Sequence, residues 1–64
     1  MKVFIEKEDK TVEIKFEGAV EVLLGKLKIN RETVLVVKNG ALATKEEHLD
    51  DSDDIKLLSI ISGG

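Results

Sequence analysis

The stretch Val12-Glu13-Ile14-Lys15-Phe16-Glu17-Gly18-Ala19-Val20-Glu21-Val22-Leu23-Leu24-Gly25-Lys26-Leu27 changes its hydrophobic period halfway along. Val12, Ile14 and Phe16 alternate with charged residues, the period of two that gives a strand one buried face. Beyond Gly18, Val20, Leu23, Leu24 and Leu27 fall at i, i+3, i+4 and i+7, one apolar stripe of a helix. Gly25 inside that stripe costs up to about 1 kcal/mol relative to Ala, so the helix is expected to be short and held by packing. A strand running into a helix that must lie over it points to an α+β fold.

Toward the N-terminus, Val3 and Ile5 alternate with Lys2, Phe4 and Glu6. The polar stretch Lys7-Glu8-Asp9-Lys10 then reverses the chain, so the first two strands form a β-hairpin. Toward the C-terminus, Thr33 to Lys38 is rich in β-branched and apolar residues and reads as a central strand covered on both faces. Asn39-Gly40 predicts a tight type I′ turn, with Ala41 to Ala43 as a brief return strand. Thr44-Lys45-Glu46-Glu47 has the spacing of a capping box and predicts one short helical turn. Asp50 to Asp54 reads as a polar loop, and Ile55 to Ile60 as the last strand. The order predicts an α+β roll: a mixed sheet of four to five strands, one main helix on one face, and the last strand at the sheet centre.

Sixty-four residues make one small domain, which buries only about 60% of the surface its unfolded chain exposes. It has no bulk with which to enclose a deep active site. The absence of cysteine removes a disulfide framework, a thiolate nucleophile and a cysteine-based zinc site. A net charge of −3 argues against a binder of nucleic-acid backbone, which needs clustered Lys and Arg. The longest apolar run, Val34 to Val37, is far short of the roughly 20 residues that cross a bilayer. No secretory signal opens the chain. These exclusions leave a small, non-catalytic, cytoplasmic domain that does not touch membranes.

Side chains that carry chemistry elsewhere do not form sites here. Asp50 to Asp54 holds four carboxylates in five residues, but it lacks the glycine and glutamate of a calcium loop. His48 has no cysteine or second histidine to join it as ligand or base. Ser62 precedes Gly63 without the strand-turn-helix of a nucleophile elbow. No catalytic or metal residue is assigned. If Val3, Ile5, Ile55 and Leu57 face the helix, period two puts Phe4, Leu58 and Ile60 on the opposite face. Those three are the candidate docking patch, because exposed apolar clusters mark interfaces. The parity of Leu35 and Val37 stays open, since an unbroken apolar run shows no alternation.

The chain ends Ile60-Ile61-Ser62-Gly63-Gly64. Over its whole length it resembles the β-grasp sulfur carriers of the ThiS/MoaD family and the related archaeal ubiquitin-like small modifiers. The likeness rests on Val22-Leu23-Leu24 with Leu27, on Glu32 to Val37 with Asn39-Gly40, on the acidic loop ending in Asp54-Ile55, and on the terminal Ser62-Gly63-Gly64. The resemblance implies a β-grasp domain over residues 1–61 and a working tail over residues 62–64. It also implies a protein that is not an enzyme, binds no cofactor and is a monomer when free. A ubiquitin-activating-type enzyme would use ATP to adenylate the Gly64 carboxylate, with Ser62 and Gly63 threading into that enzyme. The product would be a thiocarboxylate for a sulfur-acceptor synthase, or an isopeptide bond to a lysine of a target protein. Thiamin, molybdopterin and transfer-RNA thiolation pathways all fit. Glycine suits such a tail, because without a Cβ it enters a narrow channel and leaves its carbonyl open to attack. An extended tail from Ile60 to Gly64 reaches roughly 15 Å. The rival reading is a β-grasp interaction module that binds through its sheet and never uses its terminus.

Overall fold

The computed structural model describes residues 1–60, and the expectations for residues 61–64, the tail of Ser62, Gly63 and Gly64 included, lie outside the described residues. Strand β1 (Lys2–Ile5) and strand β2 (Lys10–Glu13) form the expected antiparallel hairpin, with Val3 opposite Val12. A 3-10 turn over Glu6–Glu8 and a left-handed Asp9 (φ 49°) join them. Asp tolerates that conformation better than most non-glycine residues. Beyond Glu13 the hairpin continues through a reciprocal pair: the Ile14 amide donates to the Met1 carbonyl at 3.0 Å and the Met1 ammonium donates to the Ile14 carbonyl at 2.8 Å.

The polypeptide then turns at Gly18, whose φ of 150° and close approach to the Phe16 ring exclude a side chain. A Cβ there would lie 3.2 Å from that ring. Strand β3 (Gly18–Ala19) leads directly into helix α1 (Val20–Lys26). Val20, Leu23 and Leu24 are buried and Leu27 is half-buried, as the sequence periodicity requires. A second 3-10 turn, Arg31–Thr33, delivers the chain to strand β4 (Val34–Lys38). Asn39 (φ 50°) and Gly40 (φ 87°) are both left-handed, the two positive φ angles of a type I′ turn, and strand β5 (Ala41–Ala43) returns beside β4.

Strand β6 (His48–Leu49) pairs with β3 in a separate two-stranded sheet. Strand β7 (Asp54–Ser59) then enters the main sheet between β1 and β4, giving the order β2-β1-β7-β4-β5. It runs parallel to β1 and antiparallel to β4. The core lies between α1 and one face of this sheet. Val3, Val36, Ile55 and Leu57 meet Val20, Leu23 and Leu24 there, and Leu49 closes one end.

Two expectations change and a third is extended. Thr44 to Glu47 is a single reverse turn, closed by the Glu47 amide on the Thr44 carbonyl at 3.1 Å, and not a helical turn. Its carbonyls serve the helix instead: Glu47 and Lys45 accept the Val20 and Glu21 amides at 3.0 Å, two of the donors that a helix start leaves without partners. Strand β4 is covered on one face only, and Leu35 is 44% exposed on the other. The acidic loop stays exposed at Asp50, Asp51, Ser52 and Asp54, as a polar loop should, but its carboxylates are also acceptors that tie it to other segments. Asp51 Oδ1 takes the Phe16 amide at 2.9 Å and the Met1 ammonium at 3.2 Å. Asp53 takes the Asp50 amide and the Asn39 side-chain amide, which ties the loop to the β4–β5 turn.

The bond from the Phe16 amide, then that from the Met1 ammonium, holds the Asp51 carboxyl below its ordinary value of 3.8. A group whose pKa is lower when folded stabilises the fold above its unfolded value, and loses that contribution as pH falls through the folded value. Asp51→Asn is therefore expected to destabilise the protein at neutral pH. The difference from the parent shrinks as pH drops below 3.8. Chemical denaturation across a pH series measures it, and a difference independent of pH contradicts this role.

Candidate functional site

The sheet places two features at the end of β7. One is the point where the chain leaves the fold. β1 ends at Ile5, and one residue later the Glu6 side chain supplies the acceptor the strand no longer provides. Its carboxylate takes the Ser59 amide at 2.8 Å. On the other side the Ile60 amide donates to the Thr33 carbonyl at 3.1 Å. The last described residues are thus held from both flanks. Ser62, Gly63 and Gly64, the residues assigned to the working tail, lie outside the described residues.

The second feature is the sheet face turned away from α1. Residues paired across a sheet share a face, so the register can be read across the strands. Phe4 lies opposite Lys56, Lys56 opposite Val37 and Val37 opposite Leu42. In the next row Leu58 lies opposite Leu35. Phe4 and Leu58 are half-buried, and Ile60 is 49% exposed at the tail root. The structure also settles the parity of Leu35 and Val37, which both point outward. Leu42, 70% exposed, extends the same face and was missed in the sequence. The Asn39-Gly40 turn held that signal, because a two-residue turn fixes the pairing of Leu42 with Val37. Lys56 is the one cation in the middle of this apolar surface.

Away from β7, Glu17, His48 and Asp50 bring three ligand atoms within 4.8 Å of one another. All three side chains are exposed. The two carboxylates contact the same ring nitrogen, Nε2, at 3.4 and 3.5 Å. No helix among the described residues is long and apolar enough to cross a membrane.

A five-stranded mixed sheet with its last strand central and one helix across one face is a β-grasp domain. The ThiS family model matches residues 2–64, which includes the terminal Gly-Gly. The sequence is 39% identical over 57 residues to the sulfur carrier protein TtuB of Thermus thermophilus, covering 89% of this chain and 88% of that one. The crystal structure of the thiamine biosynthesis protein ThiS from Geobacter metallireducens superposes with a TM-score of 0.63 at 26% identity, covering all of both chains. The solution structure of a thiamine biosynthesis protein from the same organism gives 0.60 at 26% identity, covering all of this chain and 88% of that one. The chain belongs to the ThiS family of sulfur carriers. A carrier of this kind is a substrate of enzymes and not itself an enzyme.

The two faces of β7 make opposite predictions for adjacent residues. Leu57 is fully buried under the helix, whereas Leu58 points to the open face. Leu57→Asp buries an unpaired carboxylate and is expected to unfold a domain whose whole stability is on the order of 5 kcal/mol. Leu58→Asp keeps its carboxylate in water and is expected to stay folded. Circular dichroism of the pair decides, and an unfolded Leu58→Asp means that the outer face carries core packing.

Proposed function

We propose that this protein carries sulfur on the carboxylate of Gly64. The observation that supports the reading is that the family match runs through residue 64, directly beyond a central strand gripped at Ser59 and Ile60. A ubiquitin-activating-type enzyme binds ATP, and the Gly64 carboxylate oxygen attacks the α-phosphate. Pyrophosphate leaves and a mixed carboxylic–phosphoric anhydride remains. Hydrosulfide supplied by a sulfur-transfer partner then attacks the carbonyl, its C–S bond forms as the C–O bond to AMP breaks, and a thiocarboxylate remains. If a lysine amine attacks instead, the same anhydride gives an isopeptide bond and the protein acts as a small modifier.

The domain contributes reach and orientation rather than catalysis. Four residues beyond Ile60 span at most about 13 Å when extended, enough to carry the carboxylate into a partner's active site while the sheet stays outside. Ser62 and Gly63 pass through the entrance, and the absence of a Cβ at Gly63 and Gly64 leaves room there. Phe4, Leu58 and Ile60, joined by Leu35 and Val37, form the surface that meets the activating enzyme. They share the face on which the tail root lies, so one partner can engage both. ATP is held by that partner and the chain holds no cofactor. The setting is the cytoplasm, the free protein is a monomer, and the later partners are a sulfur-acceptor synthase or lysine-bearing targets.

Removing Gly63 and Gly64 is expected to leave the melting temperature unchanged and to abolish ATP–pyrophosphate exchange by the activating enzyme. In the same assay Leu58→Asp is expected to raise the concentration of carrier needed for half-maximal exchange. Normal activation of the shortened chain would falsify the reading.

A further inference from the structure

A groove of about 240 Å³ opens between the helix and the β4–β5 side of the sheet. Val20 and Leu24 form its helical wall, and Val34, Leu35, Val36 and Ala43 its sheet wall, with Arg31 and Lys45 also lining it. Val34 pairs with Ser59, so one end of the groove lies beside the tail root. The groove is smaller than the roughly 300–1,000 Å³ that small-molecule and cofactor sites occupy, and it suits one or two aliphatic side chains. Both charged residues that line it are cations, in a chain whose net charge is −3. Lys45 makes no ion pair among the described residues, and Arg31 has only a long contact to Glu21, at 3.9 Å.

The backbone beside the groove also has capacity to spare. The Thr33 carbonyl bonds to Ile60 and the Asn39 amide to Asp54, so the odd-numbered residues of β4 turn their polar groups toward β7. By the alternation of an antiparallel ladder, the even-numbered residues turn theirs toward β5. β5 meets Lys38 and Val36 but stops at Ala43. The continuing chain diverts to the helix, where the Lys45 carbonyl accepts the Glu21 amide. The Val34 carbonyl therefore faces the groove at a strand edge beyond the end of the β5 ladder.

We infer that this groove binds an extended segment of a partner protein, carrying aliphatic side chains flanked by carboxylates. The aliphatic side chains enter between α1 and β4, a backbone amide of the segment donates to Val34, and the carboxylates meet Arg31 and Lys45. Strand addition at a free edge combined with a side-chain pocket is a general mode of peptide recognition. The inference uses no step of sulfur transfer, so it stands or falls separately from that reading.

The test is titration of the isotope-labelled protein with two end-blocked peptides, Asp-Val-Ile-Val-Asp and Lys-Val-Ile-Val-Lys, followed by amide chemical shifts. The acidic peptide is expected to bind about tenfold more tightly, a difference of about 1.4 kcal/mol in charge pairing. Its shifts should centre on Leu35, whose amide follows the Val34 carbonyl, and on Lys45. The double substitution Arg31→Gln with Lys45→Gln changes two exposed side chains, so the fold is retained, and it should erase the preference. Equal binding of both peptides, or shifts confined to Phe4 and Leu58, overturns the inference. A chain ending at Ile60 gives the last arm. If only that chain binds the acidic peptide, the groove belongs to the protein's own terminus and the partner segment is ruled out.

Discussion

The fold depends on the pairing of β7 with β1 and β4. The two outer pairs are local hairpins, β1 with β2 and β4 with β5, and each has a ladder of its own. Nothing joins them until residues 54–59 slide between, parallel to one and antiparallel to the other. The same strand delivers Ile55 and Leu57 to the core beneath α1. A parallel pair cannot be closed by a tight turn. The chain between β1 and β7 therefore has to supply the helix, the second hairpin and the β3–β6 pair before the sheet is complete.

Size explains what is left exposed. A chain of this length has one helix to lay on the sheet, and a helix covers one face. The uncovered face then carries Phe4, Val37, Leu58 and Leu35 in adjoining rows, an apolar surface that a larger domain would bury under a second layer. Because the most interior strand is also the last one described, that surface and the end of β7 belong to one element. Glu6 and Thr33 hold the end of that strand, at the cost of only two hydrogen-bonding groups.

Much of this was legible in the residues themselves. The hairpins, the helix and the central last strand follow from Val12-Ile14-Phe16, Val20-Leu23-Leu24 and Asn39-Gly40, because period and turn chemistry are local. The outward position of Phe4 and Leu58 follows from the alternation around Ile55 and Leu57. The rest depended on contacts distant in sequence. Val34 to Val37 is apolar throughout, so no alternation distinguishes its faces, and only the pairing of Leu35 with Leu58 does. Thr44 to Glu47 has the letters of a helix start, but its carbonyls are drawn to the amides of a helix more than twenty residues earlier. The acceptor roles of Asp51 and Asp53 were not legible, because Phe16, Met1 and Asn39, which donate to them, lie elsewhere in the chain. Strands of two residues, β3 and β6, are too short to show a period at all. Gly63-Gly64 after an apolar strand is a motif of the sequence and lies within the span that the family model matches.

The central claim is that sulfur is carried on the carboxylate of the last residue. Intact-mass analysis of the protein recovered from cells that supply its activating and sulfur-transfer enzymes tests it most directly. The account predicts a species heavier than the parent by the difference between sulfur and oxygen, with fragmentation placing the change at Gly64. A carboxylate that remains unchanged while ATP and those enzymes are present and active would contradict it.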